Sequence, residues 1–350
     1  MIRVAILGAG IGREHLAAYQ RLPSQFTVSM LVDQDMDRAS GLVSGDTIRI
    51  ESDIKSAIID PDIDVIDVCL PPHLHVEVCL AALAHGKHVI CEKPLTTSLA
   101  DVDRLEVAAA KADRHVFPVF QYRWGPSLAQ MMHLIDLGLT GRRLSASLET
   151  HWLRGADYYA VPWRGTWAGE QGGAVLGHAI HNHDLLCHIF GPVDALGAFT
   201  TTRVNDIETE DCAAIAFEMA DGALATSNIT LGAAFDRTRL RFVFEKLTAT
   251  SGDAPYAPGA DPWRFEARDP VFQSEIDHAL QSAPKPKTGF DGFLTEVSKA
   301  IEGKQNTAVT LSAGRKSVEL VTAIYAAART GHRVNLPLPT SHPMYAGWQP

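Results

Sequence analysis

The sequence predicts two domains: an α/β domain with a parallel, doubly wound sheet over residues 1–121, and an α+β domain with a mainly antiparallel sheet over residues 122–350. The first prediction comes from the regular alternation of strand-like and helix-like segments up to about residue 120, which is typical of parallel sheets with right-handed crossovers. The second comes from consecutive segments of alternating apolar and polar residues after Val193, the pattern of half-buried antiparallel strands. Asp221-Gly222 supplies a hairpin turn between two of them.

The elements of the first domain follow from short apolar runs bounded by turn residues, with helix-compatible segments between them. Strands are predicted at Val4–Leu7, Val28–Val32, Asp64–Leu70, Lys87–Cys91 and Val116–Phe120. Helices are predicted around His15, Leu16 and Tyr19, from His75 to His85 and from Asp101 to Asp113. Pro71-Pro72 ends the third of these strands.

In the second domain, helices are predicted at about 126–138 and 178–190, on either side of a polar, aromatic loop. The predicted strands are Leu196–Val204, Cys212–Met219, Ala223–Leu231 and Leu240–Phe244. The proline- and glycine-rich stretch from Gly252 to Pro270 is predicted to be a loop. Helices at about 290–303 and 312–330 follow, and Arg333–Leu338 is predicted to be a short closing strand.

The composition is that of a globular protein of 350 residues, long enough for two domains with their own cores. A formal net charge of −10 without a basic stripe argues against nucleic-acid binding, and no segment reaches the roughly twenty apolar residues of a membrane span. The chain enters a strand at its N-terminus, so no signal peptide is expected. Five cysteines without a CxxC pair predict reduced thiols and a cytoplasmic location.

Closely spaced glycines, Gly8, Gly10 and Gly12, follow the first strand. Glycine at such positions permits a tight turn and lets the backbone approach a pyrophosphate at the N-terminus of the next helix. The third glycine comes one residue earlier than in the usual G-x-G-x-x-G pattern. Asp33 has nearly the spacing of the acid that binds an adenosine ribose, although it also suits a helix cap. Its carboxylate would repel a 2′-phosphate and so favours NAD over NADP, and the nearby Arg38 favours the opposite.

The apolar strand Lys87–Cys91 ends abruptly in Glu92, Lys93 and Pro94. Ligands of open α/β sheets bind at the carboxyl ends of the strands, and a proline restricts the backbone of the residue before it. Lys93 is therefore expected to lie at the ligand-binding edge of the sheet with a restricted backbone. Its ammonium could hydrogen-bond a substrate oxygen and stabilise the negative charge that develops there.

Glycines also lead into the helix that carries His178, His181 and Asp184. His178 and His181 are three residues apart, as are His181 and Asp184, so each pair shares a helical face. Imidazole is the natural general base near neutral pH, and His181 could take a hydroxyl proton as a hydride leaves the same carbon. For His183 and His188 a role as buried polar residues is the simpler interpretation. No metal is predicted, because a site built from this histidine-rich helix lacks both HExxH-like spacing and a cysteine partner.

The loop His151–Trp167 is dense in aromatic rings and hydrogen-bonding groups, a mixture that suits a polyhydroxylated ring. Trp163 and Arg164 are its candidate substrate-binding residues. For Trp163, packing of the loop's own aromatic rings against the domain is an equal alternative. Tyr122 and Arg123 lie at the predicted domain junction, where Arg123 could equally form an ion pair between the domains.

Taken together, these residues resemble the Gfo/Idh/MocA family of nicotinamide-dependent sugar and cyclitol oxidoreductases along essentially the whole chain. The resemblance is carried by Gly8–Gly12 with His15, Pro71-Pro72 with His75, Gly86–Pro94, Gln121–Arg123, Trp163–Trp167, Gly172–Asp184, and Gly331–Pro337 with Tyr345 and Trp348. It implies a Rossmann domain followed by an open-faced antiparallel sheet, through which family members often form dimers or tetramers. It also implies that Lys93 and His181 are the catalytic lysine and histidine.

The expected cofactor is NAD, with NADP less favoured. The residues expected to bind it are Gly8, Gly10, Ile11, Gly12, Asp33, Leu70, Pro71, His75, Glu92 and Lys93. The residues expected to bind the substrate are Lys93, Tyr122, Arg123, Trp163, Arg164, His178 and His181. The chain departs from the family at Gly177, where an aspartate often completes a proton relay with the histidine four residues later. Either His178 takes over part of this role, or the proton passes through substrate hydroxyls, Lys93 or water.

The resulting hypothesis is an NAD(H)-dependent dehydrogenase or reductase that acts on a ring hydroxyl or ketone of a sugar, sugar derivative or cyclitol, as a homodimer or homotetramer. One alternative is a redox-neutral glycosidase or lyase that retains NAD. Another is a non-enzymatic sensor of dinucleotide occupancy. The retention of both Lys93 and His181 argues against the sensor, because a sensor needs no pair for proton transfer.

Overall fold

The computed structural model describes residues 1–43, 45 and 47–350, and the chain forms two compact units. The first unit contains Met1–Phe120 and Phe290–Val318, and the second contains Gln121–Gly289 and Glu319–Pro350. The predicted second domain began at residue 122 and ran to the C-terminus. In the structure, Phe290–Val318 groups with the first unit instead.

Six parallel strands form the sheet of the first unit, and helices follow five of them. The strands are β1 (Ile2–Leu7), β2 (Phe26–Val32), β3 (Arg49–Glu51), β4 (Val65–Val68), β5 (His88–Cys91) and β6 (Val116–Pro118). The helices are α1 (Gly12–Gln20), α2 (Met36–Ser40), α3 (Ile54–Ile59), α4 (His75–Ala84) and α5 (Leu99–Ala112). The spatial order β3-β2-β1-β4-β5-β6 is that of a dinucleotide-binding doubly wound sheet, so the predicted Rossmann architecture is confirmed.

The central strands of this sheet are buried on both faces, because helices cover a parallel sheet from both sides. Val65, Ile66 and Val68 of β4 are fully buried, and α4 packs Cys79 and Ala82 into the same core. Such strands have continuous apolar sequences, which is why the sequence predicted them. The exception in β4 is Asp67, a carboxylate with no solvent exposure.

The second unit is built on an eight-stranded sheet with the order β13-β12-β11-β7-β10-β9-β8-β14. The strands are β7 (Arg143–Leu153), β8 (Val193–Thr201), β9 (Cys212–Met219), β10 (Leu224–Thr230), β11 (Gly232–Phe244), β12 (Leu247–Thr250), β13 (Arg264–Ala267) and β14 (Val334–Asn335). Its helices include α6 (Pro126–Asp136), α7 (Ala156–Tyr159), α8 (Ile180–Phe190) and α9 (Gln273–Ser282). Only β7 and β10 pair in parallel among the described strands of this sheet, which confirms the mainly antiparallel prediction.

One face of this sheet is covered and the other is open. Helix α8 packs on the covered face, where Asn182 Nδ2 donates to Thr150 Oγ1 at 2.7 Å and His183 Nε2 lies 2.9 Å from Ser227 Oγ. On the opposite face Phe199 is 78% exposed and Leu224 is 59% exposed. The open-faced sheet implied by the family resemblance is therefore present.

Two strands of this sheet were predicted to be loop. Strand β7 lies in the predicted polar, aromatic loop, yet its buried residues Ala146, Leu148 and Trp152 alternate with more exposed ones as in a half-buried strand. Strand β13 lies within the predicted loop Gly252–Pro270 and pairs with β12. In both cases the aromatic, polar or proline-rich character of the segment outweighed the alternation in the prediction.

The remaining helices are α10 (Gly289–Ile301) and α11 (Leu311–Thr330). Specific contacts explain why Phe290–Val318 belongs to the first unit. The Phe290 ring centroid lies 4.5 Å from that of His15, and Arg315 Nη1 pairs with Asp103 Oδ1 at 2.5 Å. Among the helices of the described residues, none combines the length and apolar character that crossing a membrane requires.

Trp348, near the C-terminus, is fully buried in the second unit, and its indole N–H donates to Gln171 O at 2.7 Å. We expect Trp348→Ala to lower the free energy of unfolding by about 3–5 kcal/mol, because it leaves a large cavity. Trp348→Phe should cost less, since it keeps most of the buried apolar volume. Urea titration followed by circular dichroism measures both. The exposed control Val107→Ala should change stability by no more than about 0.5 kcal/mol, and a similarly small effect of Trp348→Ala would contradict this assignment.

Candidate functional site

The glycine turn after β1 has the shape that a dinucleotide needs. Gly8 has a φ of +99°, and a Cβ there would lie 2.4 Å from Cys69 O, so only glycine fits. A Cβ at Gly12 would lie 2.9 Å from Ile6 Cγ2, which shows how closely α1 packs on β1. Gly10 has no atom of the described residues within 4 Å of its Cβ position, apart from its chain neighbours. The turn therefore forms an open backbone cradle at a helix N-terminus, which fits a pyrophosphate despite the early third glycine.

Asp33 follows β2 and is held by three hydrogen bonds. Its Oδ2 accepts from Ala9 N–H at 2.6 Å, and its Oδ1 accepts from Asp35 N–H at 2.8 Å and Arg38 Nη2 at 2.7 Å. Burial opposes ionisation, but these donors outweigh it and lower the pKa of Asp33. A carboxylate can accept about four hydrogen bonds, so Oδ2 retains capacity for a ribose hydroxyl. Arg38, the residue that would favour a 2′-phosphate, is paired with Asp33.

His75 connects the turns that follow β4 and β5. Its Nδ1 lies 2.7 Å from Pro94 O and its Nε2 lies 2.8 Å from Leu70 O. The ring is fully buried, and burial lowers its pKa. His75 therefore supports both turns from inside the unit, whereas Leu70 and Pro71 are half-buried at the sheet edge.

A buried ionic network lies beneath these turns. His15 of α1 has no solvent exposure, and its Nδ1 lies 2.8 Å from Asp67 Oδ2 while its Nε2 lies 3.1 Å from Glu92 Oε1. Tyr19 adds a hydrogen bond to Asp67 Oδ2 at 2.9 Å. Burial disfavours a charged ring, but the negative charge of Asp67 prevails and raises the pKa of His15 well above its ordinary value. Since both ring nitrogens face carboxylates, His15 is an imidazolium that donates to each.

The network reaches Lys93 through its backbone. Glu92 Oε2 accepts a hydrogen bond from the Lys93 N–H at 3.0 Å, and the Lys93–Pro94 peptide bond is cis. Lys93 is half-buried at the carboxyl end of β5, whereas Glu92 is buried. Glu92, predicted to bind the cofactor, thus lies between His15 and the backbone of Lys93.

In the second unit, His181 is the second residue of α8 and only 4% exposed. Its ring stacks on Tyr122, with centroids 4.4 Å apart and an interplanar angle of 22°. The next residue, Arg123, donates from Nε to Asp184 Oδ2 at 2.7 Å and from Nη2 to Asp184 Oδ1 at 2.6 Å. The ion pair of Arg123 is therefore formed inside this unit. Together the two contacts fix the N-terminal half of α8 against the segment that carries Tyr122.

The segment that enters α8 is a π-helical turn, Val175–Ala179, where an α-helix was predicted from residue 178. Glu210 accepts hydrogen bonds from the N–H groups of Gly173 at 3.1 Å and Val175 at 3.0 Å. The Tyr325 hydroxyl donates to the same carboxyl group at 2.9 Å. Burial raises the pKa of Glu210 to about 7. Sequence analysis missed Glu210, which lies far along the chain from the turn it fixes.

His178 lies on the π-helical turn within a cluster of aromatic rings. Its ring centroid lies 5.3 Å from that of Trp152 and 5.7 Å from that of Tyr158. The guanidinium of Arg164 lies 3.8 Å from the Tyr158 ring centroid and 4.9 Å from that of Trp163. Of the predicted substrate residues, the second unit therefore groups His178, Trp163 and Arg164 around Tyr158, a residue that the sequence did not single out.

Among the described residues, one cluster combines metal-ligand types, and its members are hydrogen-bonded to one another. His15, Asp67 and Cys69 offer nitrogen, oxygen and sulfur atoms within 4.8 Å of one another, and hydrogen bonds join these atoms directly. On α8, the carboxylate of Asp184 is paired with Arg123.

The chain matches two family models. Residues 2–120 match the model of an oxidoreductase family with an NAD-binding Rossmann fold. Residues 128–250 match the model of the GFO/IDH/MocA C-terminal domain.

Two similar proteins are named dehydrogenases. The levoglucosan dehydrogenase of Pseudarthrobacter phenanthrenivorans is 30% identical over 222 residues, which cover 59% of this chain and 55% of that protein. An inositol 2-dehydrogenase of Rhodococcus jostii is 34% identical over 148 residues, or 41% of this chain and 40% of that protein. The chain thus spans about half or less of the length of these two relatives.

Among solved structures, the WlbA dehydrogenase from Bordetella pertussis in complex with NADH and UDP-GlcNAcA is similar over nearly the whole chain. The two share 26% of their residues with a TM-score of 0.85, and the alignment covers 97% of this chain and 99% of that chain.

The buried network around His15 should contribute to the free energy of unfolding. His15→Gln leaves two buried carboxylates without their cation and should lower the free energy of unfolding by about 3–5 kcal/mol near pH 6. Because the pKa of His15 is raised in the folded state, its stabilisation is complete below the ordinary histidine pKa of about 6.5. It is lost as the pH rises through the raised value.

Urea titrations of wild type and His15→Gln between about pH 6 and pH 9 check this, with the exposed His85→Gln as control. The difference in unfolding free energy between wild type and His15→Gln should shrink as the pH rises. A difference that is constant across this range would show that the charge of His15 does not stabilise the fold.

Proposed function

The chain belongs to the Gfo/Idh/MocA family of NAD-binding oxidoreductases, and we propose that it transfers a hydride between NAD(H) and a ring hydroxyl or ketone of a sugar, sugar derivative or cyclitol. One observation carries the proposal most directly. The backbone of Lys93 is fixed by a buried ionic network at the carboxyl end of β5, the edge where ligands of such sheets bind.

The substrate class is supported by the relatives and by the second unit. Two relatives are named as dehydrogenases of levoglucosan and of inositol, and the solved WlbA complex contains the nucleotide sugar UDP-GlcNAcA. The cluster of Tyr158, Trp163 and Arg164 offers flat rings together with a cation, which suits the faces and hydroxyls of a polyhydroxylated ring.

In the proposed mechanism each residue has one task. Gly8, Gly10 and Gly12 hold the pyrophosphate, and Asp33 binds the adenosine ribose. When bound, NAD supplies the hydride acceptor. Lys93 hydrogen-bonds the substrate oxygen and stabilises negative charge on it, while His181 accepts the hydroxyl proton. In the reducing direction the same residues return the proton to a carbonyl oxygen.

The first test is absorbance of NADH during incubation with a panel of sugars, sugar acids, glycosides and inositols, with NAD and NADP in parallel. We expect a stoichiometric rise with one class of ring substrate and with NAD, because Asp33 disfavours a 2′-phosphate. Tight NAD binding without any net change in absorbance would contradict the dehydrogenase. Conversion of a substrate without a net change in absorbance would support the redox-neutral glycosidase or lyase. No conversion of any substrate would support the dinucleotide sensor.

The second test addresses the two assigned residues. Lys93→Ala and His181→Ala should each lower kcat by about 10²–10⁴-fold, the usual contribution of acid–base and electrostatic groups. NADH fluorescence should show nearly unchanged cofactor binding in both variants. Lys55→Ala and His85→Ala are matched controls at exposed positions and should retain wild-type turnover. Near-normal turnover in the His181→Ala variant would remove this residue from the mechanism.

A homodimer or homotetramer formed through the second sheet is also part of the proposal. It is supported by the exposed apolar side chains of Phe199 and Leu224 on the open face of that sheet.

A further inference from the structure

Two guanidinium groups lie over the Tyr158 ring. The Cζ atom of Arg164 is 3.8 Å from the centroid of this ring, and the Cζ atom of Arg154 is 5.2 Å from it. Arg164 also lies 4.9 Å from the ring centroid of Trp163. Arg154 lies 5.0 Å from that of Trp152. Two cations therefore occupy one aromatic cluster, where they repel each other unless counter-charges offset them.

Arg154 has its counter-charge within the protein. Its Nη1 lies 2.9 Å from Asp236 Oδ2 and 3.1 Å from Asp236 Oδ1, and its Nη2 donates to the Tyr256 hydroxyl at 2.9 Å. That hydroxyl donates to Asp236 Oδ2 at 2.5 Å. The side chain of Arg154 is only 12% exposed. Arg154 is thus neutralised and held as part of the fold.

Arg164 is half-buried, and no carboxylate among the described residues forms an ion pair with it. Burial, and then the charge of Glu170, raise the pKa of Tyr158 to about 12, so this phenol is neutral and does not supply the missing charge. Glu170 itself accepts a hydrogen bond from the Gly165 N–H at 2.6 Å. A partly desolvated cation without a paired anion is costly, and a bound anion would remove this cost.

The loop fixes the backbone of Arg164. Its N–H donates to Val161 O at 3.0 Å, and the Thr166 hydroxyl donates to Trp163 O at 2.9 Å. Gly165, the next residue, has a φ of +70°, and a Cβ there would lie 2.6 Å from a neighbouring side chain, so the turn requires glycine. The guanidinium is therefore preorganised, and binding an anion would cost little conformational entropy.

The Tyr158 ring also lies beside His178, with centroids 5.7 Å apart, and His178 is three residues before the proposed base His181. We propose that Arg164 binds an anionic group of the substrate, so that the ring substrate of this chain carries a carboxylate or a phosphate. A guanidinium suits both groups, because it donates two parallel hydrogen bonds to their oxygens. Since the chain has a net charge of −10, binding an anion requires such a local cation. This inference rests on the proposed function and narrows its substrate class.

Steady-state kinetics with matched substrates tests the inference. Each neutral aldose or inositol is compared with its acidic derivatives, the uronic acid and the phosphate ester, at a fixed concentration of NAD. We expect an acidic derivative to have a kcat/KM at least about tenfold above that of its neutral parent. Arg164→Gln should lower kcat/KM for the acidic substrate by about 10–100-fold, mainly through KM, as expected for the loss of hydrogen bonds to a charged group. The neutral parent should be unaffected, and the uronic acids and phosphates show which anion is bound.

Two further variants complete this experiment. Arg329→Gln is the matched control, because Arg329 is exposed and also lies over a tryptophan, 5.6 Å from the Trp167 centroid, and it should keep wild-type kinetics. Arg164→Lys guards against a folding defect in Arg164→Gln. It keeps the charge without the planar fork, so it should retain the preference for acidic substrates with a higher KM. Equal kcat/KM for acidic and neutral substrates in the wild type, or an equal loss for both in Arg164→Gln, would overturn the inference.

A binding measurement separates this inference from the proposed function. Calorimetric titration of the NADH-bound protein with the same sugars and inositols requires no turnover, and the Kd of the acidic ligand should rise by about 10–100-fold in Arg164→Gln. If the wild type turns over nothing but binds an acidic ligand in this way, the proposed function fails and the role of Arg164 stands. If it oxidises only neutral substrates, the proposed function stands and the role of Arg164 is overturned. Failure of the wild type to bind any acidic ligand overturns it as well.

Discussion

The charged imidazole of His15, fully buried between Asp67 and Glu92, is the contact on which the ligand-binding edge of the first unit depends. It joins three elements that are distant in sequence: helix α1 behind the glycine turn, strand β4, and the residue that follows β5. Such a network is costly to bury unless every partner is satisfied. Here each carboxylate also accepts a further hydrogen bond, from Tyr19 and from the Lys93 backbone. One side chain therefore links the helix behind the glycine turn to the residue that holds the Lys93 backbone.

In the second unit, several separate contacts hold helix α8 and His181 in place. Glu210 holds the backbone where the π-helical turn begins, and the Arg123–Asp184 pair holds helix α8 one turn beyond His181. Tyr122 then stacks on the imidazole itself. In the proposed mechanism His181 gains and loses a proton, and a permanent salt bridge would hold it in one charge state. The stacked Tyr122 ring and the contacts of the α8 backbone therefore orient the imidazole.

Most of the first unit could be predicted from sequence, because its strands are continuous apolar runs that end in glycine, proline or charged residues. The same reasoning failed for β7, where half-buried alternation was hidden among polar and aromatic residues. It also could not foresee that Phe290–Val318 packs in the first unit, since that depends on contacts such as Phe290 on His15. Glu210 was missed for the same reason, because Gly173 and Val175 are brought near it by folding and not by sequence spacing.

The π-helical turn Val175–Ala179 changes how α8 and the residues before it align with a regular α-helix. A π turn contains about one residue more than an α turn, so it shifts the angular position of everything before it relative to α8. A helical wheel drawn without this extra residue would rotate Gly173–Val175 by about 100° around the axis. Designed grafts of the histidine-bearing helix onto another backbone must therefore carry the turn with it, or the N–H groups of Gly173 and Val175 will point away from Glu210, the acid that binds them.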